Sequence, residues 1–421
     1  MVWLYAIEEK PADSVLQPFS FIDAPNSRAA LNVTREMLTL VFSYQQIQPG
    51  FIDFLIPFGK QNPAQDFHFT SFRQRTRLST GTLSPSIPEL GWSGRDFQLC
   101  YNLKSVEPSS SQDRPWSIRH CAVNHTFDVE NARTSWILIK GNDLIQQRMT
   151  QATNVKGLPK LRDIALVDRA FAASLVVHSI LCDWSAEGWR WYVNYLEEKI
   201  KPIESRAMNY EIDAPPENDI GSVGLFPTPS RTQTNATETS RFSRFSRATR
   251  RLSSDTKATI RESTILRFSR RNTSRSCDIE RQQPENLSLK INETEDSDEA
   301  KYDQYGQLRF SFRDLQELHF IDAQVSEAGL VIQHNLHILQ QLIFYYAFLF
   351  KLKDFPKEIS QKCEEEMSHF NMHISGVEMD LKMQASRLRA LQHSTTHCQN
   401  LVRAAYRCDI TLLTLDSYTI F

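Results

Sequence analysis

The apolar positions follow two different rhythms, separated by a long stretch with almost none. Over residues 1–210 they come in short runs. Phe51–Pro57 (FIDFLIP), Phe97–Leu103 (FQLCYNL), Trp116–His125 (WSIRHCAVNH) and Thr134–Lys140 (TSWILIK) are bounded by Gly, Pro, Asn or Asp, and each predicts a strand. Asp128–Arg133 (DVENAR) is the polar turn between the last two. Leu166–Ile200 changes to helical spacing, with a break expected at Glu187-Gly188. These elements predict an α/β layer domain.

From Leu315 onward the period is helical throughout. Leu318, Ile321, Val325, Ala328 and Ile332 alternate three- and four-residue steps, and Leu336, Leu339, Ile343, Tyr346 and Phe350 resume the pattern after one extra four-residue step, the signature of a stutter. Lys353-Asp-Phe-Pro356 stops that helix. A second seam then runs through Met367, Phe370, Ile374, Val377, Leu381, Gln384, Leu388, Leu391, Thr395, Cys398 and Val402. Two long seams joined by a short Pro-containing link predict an antiparallel helical hairpin. Between the two rhythms, residues 211–305 hold Pro pairs, a Ser/Thr/Arg tract and the acidic run NETEDSDEAKYD, with too few apolar residues to offset chain entropy, so disorder is expected there. The whole is an α+β chain: an α/β domain at 1–210, an Arg/Ser-rich then acidic insertion at 211–305, a coiled-coil-like stalk at 306–406 and an atypical tail at 407–421.

Composition narrows this picture in a few places. With 421 residues, 41% of them hydrophobic, the chain can bury a sizeable core. The formal net charge of −2 conceals a basic insertion beside an acidic run, so it does not identify a partner. The 7 cysteines show no Cys-x-x-Cys spacing, which fits reduced thiols better than a disulfide framework or a zinc ribbon. The N-terminus lacks the basic start of a secretory signal. The longest apolar stretch, Leu339–Phe350, is well short of the roughly 20 residues that a membrane span needs.

Candidate chemistry is sparse. The stretch RHCAVNHTFDVE carries His120, Cys121, His125, Asp128 and Glu130, but strand alternation sends His120 and His125 to opposite faces, so a shared ion would require a bulge. Two ordinary strands are the simpler reading. No P-loop, His-Glu-x-x-His or Gly-x-Ser-x-Gly motif is present, and no enzymatic activity is expected.

Three pairs of histidines on helices stand out: His334/His337, His369/His373 and His393/His397. Each pair shares a helix face and can present two imidazoles to a transition metal. If the hairpin turns near Asp354-Phe355, His337 lies level with His373, and His334, His337, His369 and His373 form the candidate metal set. Solvated histidines on an amphipathic hairpin are the competing reading.

The insertion adds a basic patch of Arg241, Arg244, Arg247, Arg250, Arg251, Arg267, Arg270 and Arg271, interleaved with Phe and Ser. An acidic membrane surface suits this patch and nucleic acid is the less favoured partner. Arg-Arg-Leu-Ser253 makes Ser253 a phosphorylation candidate for a basophilic kinase. A charged, solvated loop without a partner is the third reading.

Four stretches, read in order, carry a family likeness: LGWSGRDFQLCYNLKSVE (Leu90–Glu107), WSIRHCAVNHTFDVENARTSWILIKGNDLI (Trp116–Ile145), DLQELHFIDAQVSEAGLVIQHNLHILQQL (Asp314–Leu342) and MDLKMQASRLRAL (Met379–Leu391). Together they resemble the CorA-like divalent-cation (Mg²⁺) transporter family, in the wording of its filamentous-fungal branch. The resemblance implies a cytosolic domain followed by stalk helices that assemble as rings, with a pentamer suggested, and Mg²⁺ or another divalent cation as the ion handled. In that family the stalk helix enters the membrane and the first span ends in Gly-Met-Asn. Here the stalk ends in NLVRAAYRCDITLLTLDSYTIF, with neither a span nor that signature. Transport by the chain alone is therefore not expected, and truncation or mis-splicing is one account of the departure. The resemblance points to a cytoplasmic or membrane-peripheral protein that associates with itself or with related transporter subunits. Its competitor is a soluble coiled-coil scaffold with a phosphorylatable basic loop.

Overall fold

The structure is a computed structural model. It describes residues 3–4, 19–24, 29–59, 69–79, 90–109, 114–139, 143–153, 157–158, 161, 165–208 and 312–418, with the side chains of 3–4, 143, 208 and 405–418 excepted. The expected insertion at 211–305, with its basic patch and Ser253, lies outside the described residues.

Six strands form one mixed sheet in the order β1-β2-β6-β5-β4-β3: β1 Trp3–Leu4, β2 Phe19–Ile22, β3 Phe72–Arg77, β4 Asp96–Pro108, β5 Trp116–Asp128 and β6 Thr134–Ile139. β2 runs parallel to β6, and the other neighbours are antiparallel. The centre of the sheet is buried on both faces, so its strands read as nearly continuous runs. Phe97, Leu99, Tyr101 and Leu103 of β4 join Cys121, Val123 and Phe127 of β5 in the larger core. Cys100 and Ala122 turn the other way, toward Phe51, Phe54 and Phe58.

The β5–β6 turn forms where expected. Buried Asp128 accepts hydrogen bonds from the backbone N–H groups of Glu130 (2.9 Å) and Asn131 (3.0 Å), and Ser93 donates to it through both its backbone N–H and its hydroxyl. Its carboxylate thus replaces the backbone acceptors that a tight turn leaves out.

FIDFLIP is not a strand. Pro49–Phe54 is a 3₁₀ helix, because Pro49 presets its first turn, and the three-residue step buries Phe51 and Phe54 while leaving Ile52 exposed. With α1 (Arg35–Tyr44), it covers one face of the sheet. After α2 (Asp143–Thr153), α3 (Val167–Ala186) and α4 (Trp189–Met208) pack on the other face. The break between α3 and α4 falls at Gly188, where φ is +79° and an added Cβ would stand 2.1 Å from the Val106 carbonyl oxygen. A side chain is excluded there by both backbone conformation and space.

α5 (Phe312–Leu349) and α7 (Glu364–Tyr418) form the antiparallel hairpin, joined through α6 (Lys357–Lys362). The helix continues to Tyr418, through most of the expected tail. α5 also differs from its predicted seam. Its buried positions Leu318, Ile321, Val325, Ala328, Ile332, Asn335, Leu339, Leu342, Tyr346 and Leu349 alternate three- and four-residue steps without interruption, so there is no stutter. Asn335 occupies the place in the seam that an apolar reading passes over. On α7, Ala385 takes the buried place expected for Gln384.

Candidate functional site

Two polar groupings are built into this frame, one sealed in the core and one open to solvent.

The sealed grouping links the sheet to α3. The Tyr101 hydroxyl hydrogen-bonds His178 Nδ1 at 2.7 Å, His178 Nε2 meets His125 Nδ1 at 3.2 Å, and His125 Nε2 meets the Thr134 hydroxyl at 3.2 Å. The His125 ring stacks on Trp136, with centroids 3.9 Å apart. Burial holds His178 down to about 3 and His125 well below the usual imidazole range, His125 further disfavoured by a charge on His178. Both rings are therefore neutral at ordinary pH. On the opposite face, His120 stacks on Phe58 and meets the Asn102 amide at 2.8 Å. The two histidines of the HCAVNH stretch thus point to opposite faces, each held by its own neighbours.

Asn335 of α5 completes the edge of the sheet. β3 pairs with β4 only as far as Tyr101, and beyond that point the Asn335 side chain accepts from the Lys104 backbone N–H (3.0 Å) and donates to the Lys104 carbonyl (2.6 Å) and the Ser185 carbonyl (3.1 Å). One amide does the work of a missing strand residue. It also fixes the stalk to the domain. Buried Lys104 is held down to about 8 by desolvation.

The open grouping lies where α7 crosses α3. His373 Nε2 stands 2.9 Å from Asp183 Oδ1, and both side chains are a little under half exposed. The bond to Asp183 holds the His373 imidazole above its ordinary range, against an opposing desolvation. His369, one turn earlier, shares the same groove with Asp183, His373 and Asp380. Nothing in the sequence marked Asp183, which is one acid in the α3 segment CDWSA.

The stalk register separates the predicted four-histidine set. Gln340 bonds Glu378 and Ser326 bonds Gln392, a register that places His337 opposite Leu381. His373 is eight residues away on α7, about 12 Å at about 1.5 Å per residue. The expected turn at Asp354-Phe355 omitted α6, which moves the reversal further along the chain. His334 and His337 therefore remain on α5, away from His369 and His373. Among the described residues, no three His, Cys, Asp or Glu side chains stand close enough as placed to hold an ion. Among the same residues, no helix is long and apolar enough to cross a membrane.

A layered domain with a two-helix stalk docked through Asn335 and the α3–α4 face is the class this geometry defines. Residues 4–208 match the family model described as CorA-like transporters, so the chain carries a CorA-like domain. No curated protein matches the chain.

Proposed function

We propose that the chain serves a CorA-like divalent-cation transport system and assembles through its stalk with further copies of itself. The observation that carries this reading is the family match over residues 4–208. The outer face of α7 supports the self-association. Opposite its buried seam, Met372, Gly376, Met379, Met383, Ser386 and Ala390 repeat at four- and three-residue steps and are all exposed. Small and flexible apolar residues at that spacing suit packing against another helix of the same kind. Mg²⁺ is the cation proposed, on the sequence resemblance alone, and the role proposed is non-enzymatic. Light scattering on the full chain, in Mg²⁺ and in chelator, tests the reading. Oligomers whose size or stability responds to Mg²⁺ support it, and a strict monomer in both conditions overturns it.

A further inference from the structure

We infer that His369, His373 and Asp183 form a binding site for a transition-metal dication of the Zn²⁺ class, bridging α3 and α7. His369 and His373 are one turn apart on the same face of α7 and line a groove of about 450 Å³ together with Asp183. Imidazoles at i and i+4 are close enough to chelate one ion. The third donor stands beside His373. Two ligand atoms each about 2.0–2.1 Å from one tetrahedral ion stand about 3.3–3.4 Å apart. His373 Nε2 and Asp183 Oδ1 are 2.9 Å apart.

An ion replaces the proton that His373 and Asp183 share once the two facing atoms part by about 0.4 Å through side-chain rotation. His369 completes the set by a side-chain rotation. Its ring is 61% exposed and its Nε2 stands 4.0 Å from the Glu365 carboxylate, too far for a hydrogen bond to hold it. Two imidazoles and one carboxylate select borderline transition metals over Mg²⁺, whose hard character favours oxygen ligands and retained water. The inference does not depend on the transport reading, since the ligands and the ion class differ, and the two surfaces meet only along Met372 and Gly376, which border the groove. The His334/His337 pair takes no part.

The test is calorimetric titration of the full chain with Zn²⁺, in reducing buffer with excess Mg²⁺, on the wild type and on His369→Ala, His373→Ala, Asp183→Asn and His337→Ala, each checked for retained helical circular dichroism. One Zn²⁺ site in the wild type is expected, weakened at least about 10-fold by each of the first three substitutions and unchanged by His337→Ala. Absence of binding in the wild type overturns the assignment, as does binding that the first three substitutions leave intact.

Discussion

Replacing Asn335 with Leu isolates the contact that joins the stalk to the sheet. Leucine keeps the branched skeleton of asparagine, so the perturbation removes the hydrogen bonds, and its methyl groups need more room than the amide has at contacts of 2.6–3.1 Å. The Lys104 N–H and carbonyl each lose the hydrogen bond that Asn335 supplies. The Ser185 carbonyl does not become an orphan, because the Trp189 indole N–H also donates to it at 2.8 Å. Asn335 is 1% exposed, so water cannot easily replace the amide. Each buried backbone group deprived of such a bond costs about 1–3 kcal/mol, which sets the upper range of the expected loss at about 2–6 kcal/mol. That is a large part of the roughly 5–15 kcal/mol that holds a typical domain together. Urea unfolding followed by far-ultraviolet circular dichroism measures it. A loss below about 0.5 kcal/mol would refute the claim that Asn335 stands in for a strand partner.

Acidification should weaken the fold before the carboxylates titrate. His125 and His178 are held below their unfolded value of about 6.5, so their contribution is fully present above that pH and is lost as pH falls toward the His178 value of about 3, at up to about 1.4 kcal/mol per proton per pH unit. Urea midpoints that do not change between pH 7 and pH 5 would contradict this. His373 acts with the opposite sign: its raised value adds stability below about 6.5 that fades as pH rises, a small effect because the pair is nearly half exposed. Gly188→Ala should cost about 1–3 kcal/mol from backbone strain, with more from the Val106 clash, and a denaturation midpoint equal to wild type would refute it. Arg387 holds both Glu197 oxygens, at 2.8 and 3.2 Å, and the Asn194 side chain at 2.6 Å, so Arg387→Lys should lose about 1 kcal/mol by removing the fork, and full retention of stability would count against that geometry.

The centre of the sheet, the helix break and the existence of the hairpin were legible in the residues. β4 and β5 are long, β6 is short but apolar, all three are bounded by turn residues, and Gly188 breaks the helix for a reason visible locally. β2 and β3 were not legible. Phe19–Ile22 is only 4 residues long, and FRQRTR is a charged edge strand whose pattern resembles a loop. The apparent stutter came from treating Asn335 as a surface residue, when its polarity serves the edge of β4. The register shift came from α6, a helix of 6 residues that no periodicity announces. The candidate site was half legible. The His369/His373 pair follows from spacing on one helix, whereas Asp183 reaches it through tertiary packing, which spacing cannot show.

The central claim is that the outer face of α7 joins copies of a CorA-like chain. Sedimentation velocity of the full chain, compared with a Met379→Glu/Met383→Glu double variant in the same Mg²⁺ buffer, tests it most directly. Both methionines are more than half exposed, so the fold should survive the change, as an unaltered circular-dichroism melt would verify. The account predicts an oligomeric wild type and a smaller species for the variant. Identical sedimentation of the two proteins would contradict it.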